Sequence, residues 1–350
     1  MLVDASGTLP LPWLQQPLDD VLQGHRGHAL MLHGAPGDGS LQLAFTLAQA
    51  WLCEAASGPR PCGRCGSCRL VQSHGHPDLT VLLPETLRRE LEWPLPDDKL
   101  DSERKPSKQI RVDDVRHLID RVTRTSARGR GKVALLFPAD VLNLQAANAL
   151  LKTLEEPALG TRLLLGTAEP ARLLPTVRSR CQLMRLPTPA ADVAAAWLAT
   201  QGVNDADDAR VLLAACSGRP LDALALVQAG IAARSWAALP VAVAQGRAGA
   251  LAGWPVPRVL DALYKLCHDA LAVCGGASPR YFPPDKALAQ GQAVRLADWS
   301  RELARVARHA EHPWNEGLLV EALVRVGGEA LQSARPPARP AARGSDTLRP

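Results

Sequence analysis

Between residues 28 and 186, short apolar runs alternate with stretches whose apolar positions recur every three to four residues. The runs HALML (28–32), LTVLL (79–83), KVALLF (132–137), RLLLG (162–166) and QLMRL (182–186) are too short for helices and read as buried strands. LQLAFTLAQAWLC (41–53), VDDVRHLIDRV (112–122) and NLQAANALLKTLEE (143–156) carry the helical period. Acidic residues at the start of the second suit the helix dipole, and Pro157 ends the third. Strand alternating with helix predicts a parallel sheet covered on both faces.

The segment 85–108 is charged and contains prolines, and reads as a surface loop. After PTPAAD (187–192) no strand pattern remains: a short helical stretch runs to about 230 and a longer one to about 332. The fold class expected is α/β plus all-α.

Composition adds little to this. Apolar residues make up 47% and aromatics 4%, which suits helices packed with Leu and Ala. The net charge is +5, but residues 333–350 alone hold four arginines against one aspartate. That Arg/Pro tail reads as disordered, and the remaining body is only mildly basic. No run reaches the ~18 apolar residues of a membrane span. The first residues lack the basic and apolar blocks of a signal peptide, so a cytoplasmic location is expected. The scattered Cys181, Cys216, Cys267 and Cys274 then read as reduced, small core residues.

Three stretches carry candidate chemistry. HGAPGDGSLQ (33–42) follows a strand and precedes a helix, with Gly34, Gly37 and Gly39 at phosphate-loop positions. Such a loop presents backbone N–H groups and a helix N-terminus to an anion. Its next residues should be Lys and then Ser or Thr, for phosphate charge and Mg²⁺. Here they are Ser40 and Leu41. The stretch is either a phosphate loop without its chemistry or a Gly-rich turn. KVALLF should end in an acidic pair if it served an ATPase, yet it runs into Phe137 and Pro138, with Asp140 beyond.

Cys53, Cys62, Cys65 and Cys68 form C-x8-C-x2-C-x2-C among Gly, Pro and Ser. Four thiolates in one short loop match tetrahedral Zn²⁺, and a closed set of four makes that zinc structural. His74 and His76 follow closely enough to replace a ligand. In TVRSRCQL (176–183), Ser179, Arg180 and Cys181 precede a strand. Arg180 is either a surface charge or a finger for a phosphate held by a neighbour. The basic run RVTRTSARGRGK (121–132) reads as a solvated helix end, with a DNA backbone contact as the alternative.

Four stretches together, GHALMLHGAPGDG, the cysteine insertion ending in SHGHPD, AANALLKTLEEP (146–157) and PTVRSRC (175–181), resemble the delta-prime subunits of the bacterial DNA polymerase III clamp loader. The resemblance is close over 20–190 and loose over 190–330. It implies an AAA+ type α/β domain over 1–187 with a zinc module at 53–68. A helical lid over 188–232 and a helical collar over 233–332 would follow. It implies a non-catalytic subunit of a hetero-pentamer with gamma or tau and delta, loading the sliding clamp onto primer-template DNA. Any nucleotidyltransferase activity would belong to the polymerase holoenzyme. No ATP is expected in the chain's own site. Arg180, within Ser179-Arg180-Cys181, would act on the neighbour's ATP, and Cys53, Cys62, Cys65 and Cys68 would bind Zn²⁺. The family's further arginine should precede the DAL of LDAL (221–224), where this chain has Leu221, with Arg219 two residues earlier. Two other classes compete: a DNA-stimulated ATPase with an unusual phosphate site, and a zinc-dependent DNA-binding module.

Overall fold

The computed structural model describes residues 2–94, 105–309 and 314–332. The expected Arg/Pro tail lies outside them. The chain divides into two compact units: residues 1–201 with 218–224, and 202–217 with 225–350.

The first unit is built on five strands, β1 (Ala29–His33), β2 (Leu79–Leu82), β3 (Lys132–Leu136), β4 (Thr161–Thr167) and β5 (Gln182–Arg185). They form one sheet in the order β2-β3-β4-β1-β5, and every pairing is parallel. Successive side chains alternate between faces. Leu30, Leu32, Val133, Leu135 and Leu164 therefore enter one core, while Ala29, Met31, Ala134, Leu136, Leu163 and Leu165 enter the other.

The helices of this unit are α1 (Gln15–Gly24), α2 (Ser40–Leu52), α3 (Gly66–Gln72), α4 (Glu85–Glu90), α5 (Val112–Thr123), α6 (Leu144–Glu155), α7 (Pro175–Arg178) and α8 (Ala191–Thr200). The first core is filled by α1 and α2, and α2 is buried almost all round. The second is filled by α5, α6 and α7. Asn143 opens α6 by accepting the Ala146 N–H at 2.8 Å.

Two expectations need correction. β5 is not buried: it is an edge strand, and Leu183 is 55% exposed. Its apolar letters match those of a central strand, but among the described residues no strand pairs with its outer side. Segment 85–108 is not merely a loop, since α4 opens it and Trp93 is buried, stacking on Phe45 at 4.9 Å. Arg88 donates to the carbonyls of Val81 (2.6 Å) and Leu83 (3.2 Å), satisfying the outer edge of β2. Residues 95–104 lie outside the described set.

In the second unit, α9 (Ala206–Ala215) packs on α11 (Ala233–Ala237). α10 (Pro220–Gln228) contains the boundary between the units after Leu224. α12 (Leu239–Ala244), α13 (Val256–Cys274), α14 (Lys286–Ala289), α15 (Ala293–Ala307) and α16 (Glu316–Leu331) form a mutually packed set. The pair Gly327-Gly328 lets α16 approach closely: a Cβ on Gly327 would lie 2.5 Å from the Trp299 ring. Asp269 on α13 is fully buried and accepts the N–H groups of Arg280, Tyr281 and Phe282 at 2.7–2.9 Å, tying that loop to the helix. Trp236 stacks on Phe282 at 5.0 Å. Cys216 and Cys267 are core residues as expected, but Cys274, at the end of α13, is exposed. No single helix among the described residues is long and apolar enough to cross a membrane.

Candidate functional site

The Gly-rich loop leaves the carboxyl end of β1 and enters α2. Gly37 (φ +80°) and Gly39 (φ +102°) take left-handed conformations that side chains resist. The loop has the strand–turn–helix course of a phosphate cradle, but its interior is filled from within. The Asp38 side chain folds back so that a Cβ on Gly34 would lie 2.0 Å from Asp38 Oδ2. Oδ1 accepts the Ser40 N–H at 2.8 Å. Asp38 is 2% exposed, and Oδ2 has no hydrogen-bond partner among the described residues. Burial pushes this carboxyl up to about 6, against the downward pull of Ser40 and of the Arg219 charge.

A second carboxylate leans on the same loop. A Cβ on Gly37 would lie 2.2 Å from Asp222 Oδ1, and Asp222 is paired with Arg219 at 2.6 Å. Trp13 donates Nε1–H to the Asp38 carbonyl at 2.7 Å and meets Trp197 edge-on at 5.3 Å. Ser40 and Leu41 begin α2 as buried residues, and Leu41 belongs to the core. Leu221 is also packed against that core. At the end of β3, the Phe137 ring lies over Gly166, and Asp140 accepts the Thr167 hydroxyl at 2.6 Å. The acidic group nearest the strand end is thus tied to β4.

The four cysteines expected to act together are together. Cys53 follows α2 and Cys65 caps α3. All four Sγ atoms lie within 4.8 Å of one another, with Cys53–Cys65 at 3.9 Å and Cys62–Cys68 at 4.0 Å. Ligands 2.3 Å from a tetrahedral zinc would be about 3.8 Å apart. The thiols are free of disulfides. Backbone N–H groups point at them: Glu54 and Cys68 at Cys65 Sγ, and Cys65 at Cys62 Sγ, each at 3.4 Å. The thiolate is the form of cysteine that binds metal. The set can therefore hold a metal ion with four sulfur ligands.

His74 and His76 do not join it. His76 is buried, with Nε2 3.0 Å from Ser67 Oγ and Nδ1 accepting the Asp78 N–H, and His74 stacks on Trp93. Around His76 lies a network that sequence reading missed. Asp78 is buried and accepts from Ser126 Oγ, the N–H groups of Ala127 and Arg128, and Lys132 Nζ at 2.8–3.1 Å. Burial alone would raise the Asp78 carboxyl, but the Ala127 and Arg128 amides and Lys132 hold it below its ordinary range. Arg128 also pairs with Glu54 at 2.7 Å and donates to Ser67 Oγ at 3.1 Å. Two cations of the basic run 121–132 are therefore committed to the protein itself. Contacts spanning 48 to 74 residues leave no signal in local spacing.

Arg180 follows α7 at the protein surface, its side chain 33% exposed. It donates Nε–H to Glu155 Oε1 at 2.8 Å, and Nη1–H to the Thr176 carbonyl at 2.8 Å. Its Nη2 is also paired with Glu155. Ser179 donates to the Thr176 carbonyl at 3.2 Å. Cys181 packs against the second core, and burial pushes its thiol up to about 12, which makes it an inert packing residue.

The family described as DNA polymerase III, delta subunit, matches residues 14–190. The DNA polymerase III subunit delta' of Escherichia coli K12 is 33% identical over 281 residues, 75% of this chain and 78% of that one. The chain belongs to the delta-prime family. Its Pseudomonas aeruginosa relative is 40% identical over 223 residues, 63% of this chain, and the match spans only 62% of the relative's length. The DNA polymerase III subunit tau of E. coli is 34% identical over 158 residues, 45% of this chain and 21% of that one. In this chain the parallel-sheet α/β unit carries the filled loop, the four-cysteine centre and Arg180.

Proposed function

We propose that this chain is the delta-prime member of a DNA polymerase III clamp loader, without catalysis of its own. It assembles with gamma or tau and delta in a hetero-pentamer that loads the sliding clamp onto primer-template DNA in the cytoplasm. The lid over 188–232 and the collar over 233–332 serve that assembly. Any nucleotidyltransferase activity belongs to the holoenzyme.

The observation that carries the reading is the division of charge within one unit. The loop that would hold ATP contains the buried Asp38 carboxylate, has Asp222 against it and has no lysine, while a guanidinium paired with Glu155 stands at the surface on Arg180. A chain built this way completes a neighbour's site instead of its own. The delocalised, always-charged Arg180 fork meets the γ-phosphate held by gamma or tau and stabilises the charge of transfer, a contribution of roughly 10³–10⁵ in rate in well-studied systems. Zinc in the four-cysteine centre is structural, because four protein ligands leave no open position for water or substrate.

The test is ATP hydrolysis by the complex reconstituted with gamma or tau and delta, stimulated by clamp and primed DNA, with Arg180→Ala in place of the wild-type chain. The expected outcome is loss of the share of hydrolysis that one neighbour's site supplies, with the assembled size unchanged, because the roughly 10³–10⁵ contribution disappears at that site alone. An unchanged rate removes the finger from the reading. ATP binding by the isolated chain would favour instead a DNA-stimulated ATPase.

A further inference from the structure

We propose that the groove between α16 and residues 245–255 is a docking site for the chain's own segment 333–340, SARPPARP. That segment lies outside the described set and follows directly on Gln332.

One wall of the groove is a face of α16, on which Gly317, Glu321, Arg325 and Gly328 recur every three to four residues. The other wall is the segment that follows α12, from Gln245 to Pro255. Two hollows of about 520 and 550 Å³ lie between the walls and share Ala248, Gly249 and Glu321, so they form one trough. Trp254 lines its far end, half-buried and stacked on Trp236 at 6.4 Å. A Cβ on Gly249 or Gly253 would meet nothing within 4 Å, so the loop wall stands open. Gln332 lines the near end and donates its amide N–H to the Ala244 carbonyl at 2.8 Å. Its backbone is extended, with φ −91° and ψ 141°, so the chain leaves α16 at the mouth of the trough in a conformation near polyproline II.

Charge, surface and length single out the occupant. Glu316 and Glu321 are exposed and have no ion-pair partner among the described residues, while the lining cation Arg325 is paired with Glu329 at 2.9 Å. Residues 333–340 bring Arg335 and Arg339 and no acidic group. Pro336, Pro337 and Pro340 favour polyproline II, which aromatic-lined grooves recognise, and Trp254 with Pro255 and Val320 lines such a surface. In that conformation Arg339 comes about 22 Å beyond Gln332, at ~3.1 Å per residue. Glu316 stands about 24 Å back along α16, at ~1.5 Å per residue. The two arginines therefore run past Glu321 and reach Glu316 at the Trp254 end. So short a tether gives an effective concentration in the mM range, which populates a contact too weak to form between separate chains.

The experiment is amide hydrogen exchange read by mass spectrometry on the full, zinc-loaded chain at two protein concentrations. It compares wild type with Arg335→Ala/Arg339→Ala and with Glu316→Gln/Glu321→Gln. Both double variants remove charge from one side of the contact and leave the apolar core of the unit untouched. The expected result is exchange at least ~3-fold faster over residues 246–254 in both variants, with α13 and α15 unchanged and no dependence on concentration. Exchange over 246–254 equal to wild type in Arg335→Ala/Arg339→Ala overturns the proposal and leaves the trough to another chain. Protection that appears at the higher concentration alone also overturns it, because the segment of a second copy then fills the trough. A change spread equally over α13 and α15 is lost stability, and in Arg335→Ala/Arg339→Ala it counts against docking in the trough.

Discussion

The two ends of α2 carry the two polar loops of the α/β unit, and they are finished in opposite ways. At its N-terminus, the loop 34–39 closes on its own carboxylate and leaves one buried oxygen without a partner among the described residues. At its C-terminus, Cys53 begins a centre in which four sulfurs converge and backbone N–H groups support them, so the set can take a cation from outside. One loop supplies its own ion and is closed to ligands. The other presents four sulfurs that can take an ion from outside. Glycines occur in both, so glycine content does not separate a silent loop from a working one; the side chain folded into it does.

The largest effect should come from breaking the open end. Cys65→Ser removes a ligand that also receives two N–H groups, and leaves three thiolates crowded together. Metal analysis should show loss of bound zinc, and urea unfolding should show a loss on the order of 5 kcal/mol. That is less than the ~10–16 of isolated zinc-finger peptides, because this unit has two apolar cores on its sheet besides the centre. Full stability retained after exhaustive chelation of the wild-type chain would make the centre a thiol cluster with no structural ion.

A smaller loss tests what joins that centre to the sheet. Asp78→Ala leaves Lys132, at 8% exposure, without its carboxylate and strips partners from Ser126 and two backbone amides. Removing one partner of a buried pair costs about 3–5 kcal/mol. Urea unfolding at pH 7 reads the loss directly. Asp78→Asn should recover part of it, because the amide oxygen can still accept from the loop while the lysine stays unpaired. A loss under about 1 kcal/mol would mean that the network is replaceable by water.

Much of this is legible in the chain, for physical reasons that also mark the limits. Five strands and the helices α2, α5 and α6 announce themselves because period and burial are local properties. The cysteines are legible because ligand spacing is local too. β5 misleads because an edge strand and a central strand share composition, and only the neighbours differ. His76 reads as a spare ligand until Ser67 and the Asp78 amide take both its nitrogens. The missing lysine at Ser40 is visible in the sequence, but the carboxylate that fills its loop is not. Asp38 is one letter among exposed-looking turn residues, and Trp13 and Asp222 reach its loop from elsewhere in the chain.

The smallest effect sharpens the closed end, and its sign is opposite to the others. The Asp38 carboxyl titrates near about 6 when folded, against an ordinary 3.8. Between those values the folded chain holds more protons than the unfolded one, so stability falls as pH rises through the interval and stays lower above it. At about 1.4 kcal/mol per pH unit, the cost of keeping that carboxylate ionised above pH 6 is on the order of 3 kcal/mol. Asp38→Asn removes the charge, keeps an oxygen for the Ser40 N–H and gives up the stronger, charged acceptor. The net expectation is a gain of about 1–2 kcal/mol at pH 8 that vanishes by about pH 4, where the wild-type carboxyl is already protonated. Urea unfolding of both chains at each pH reads the difference and cancels the pH dependence of every other group. A gain of equal size at both pH values would attribute it to shape alone, and Asp38 would no longer be a strained internal anion.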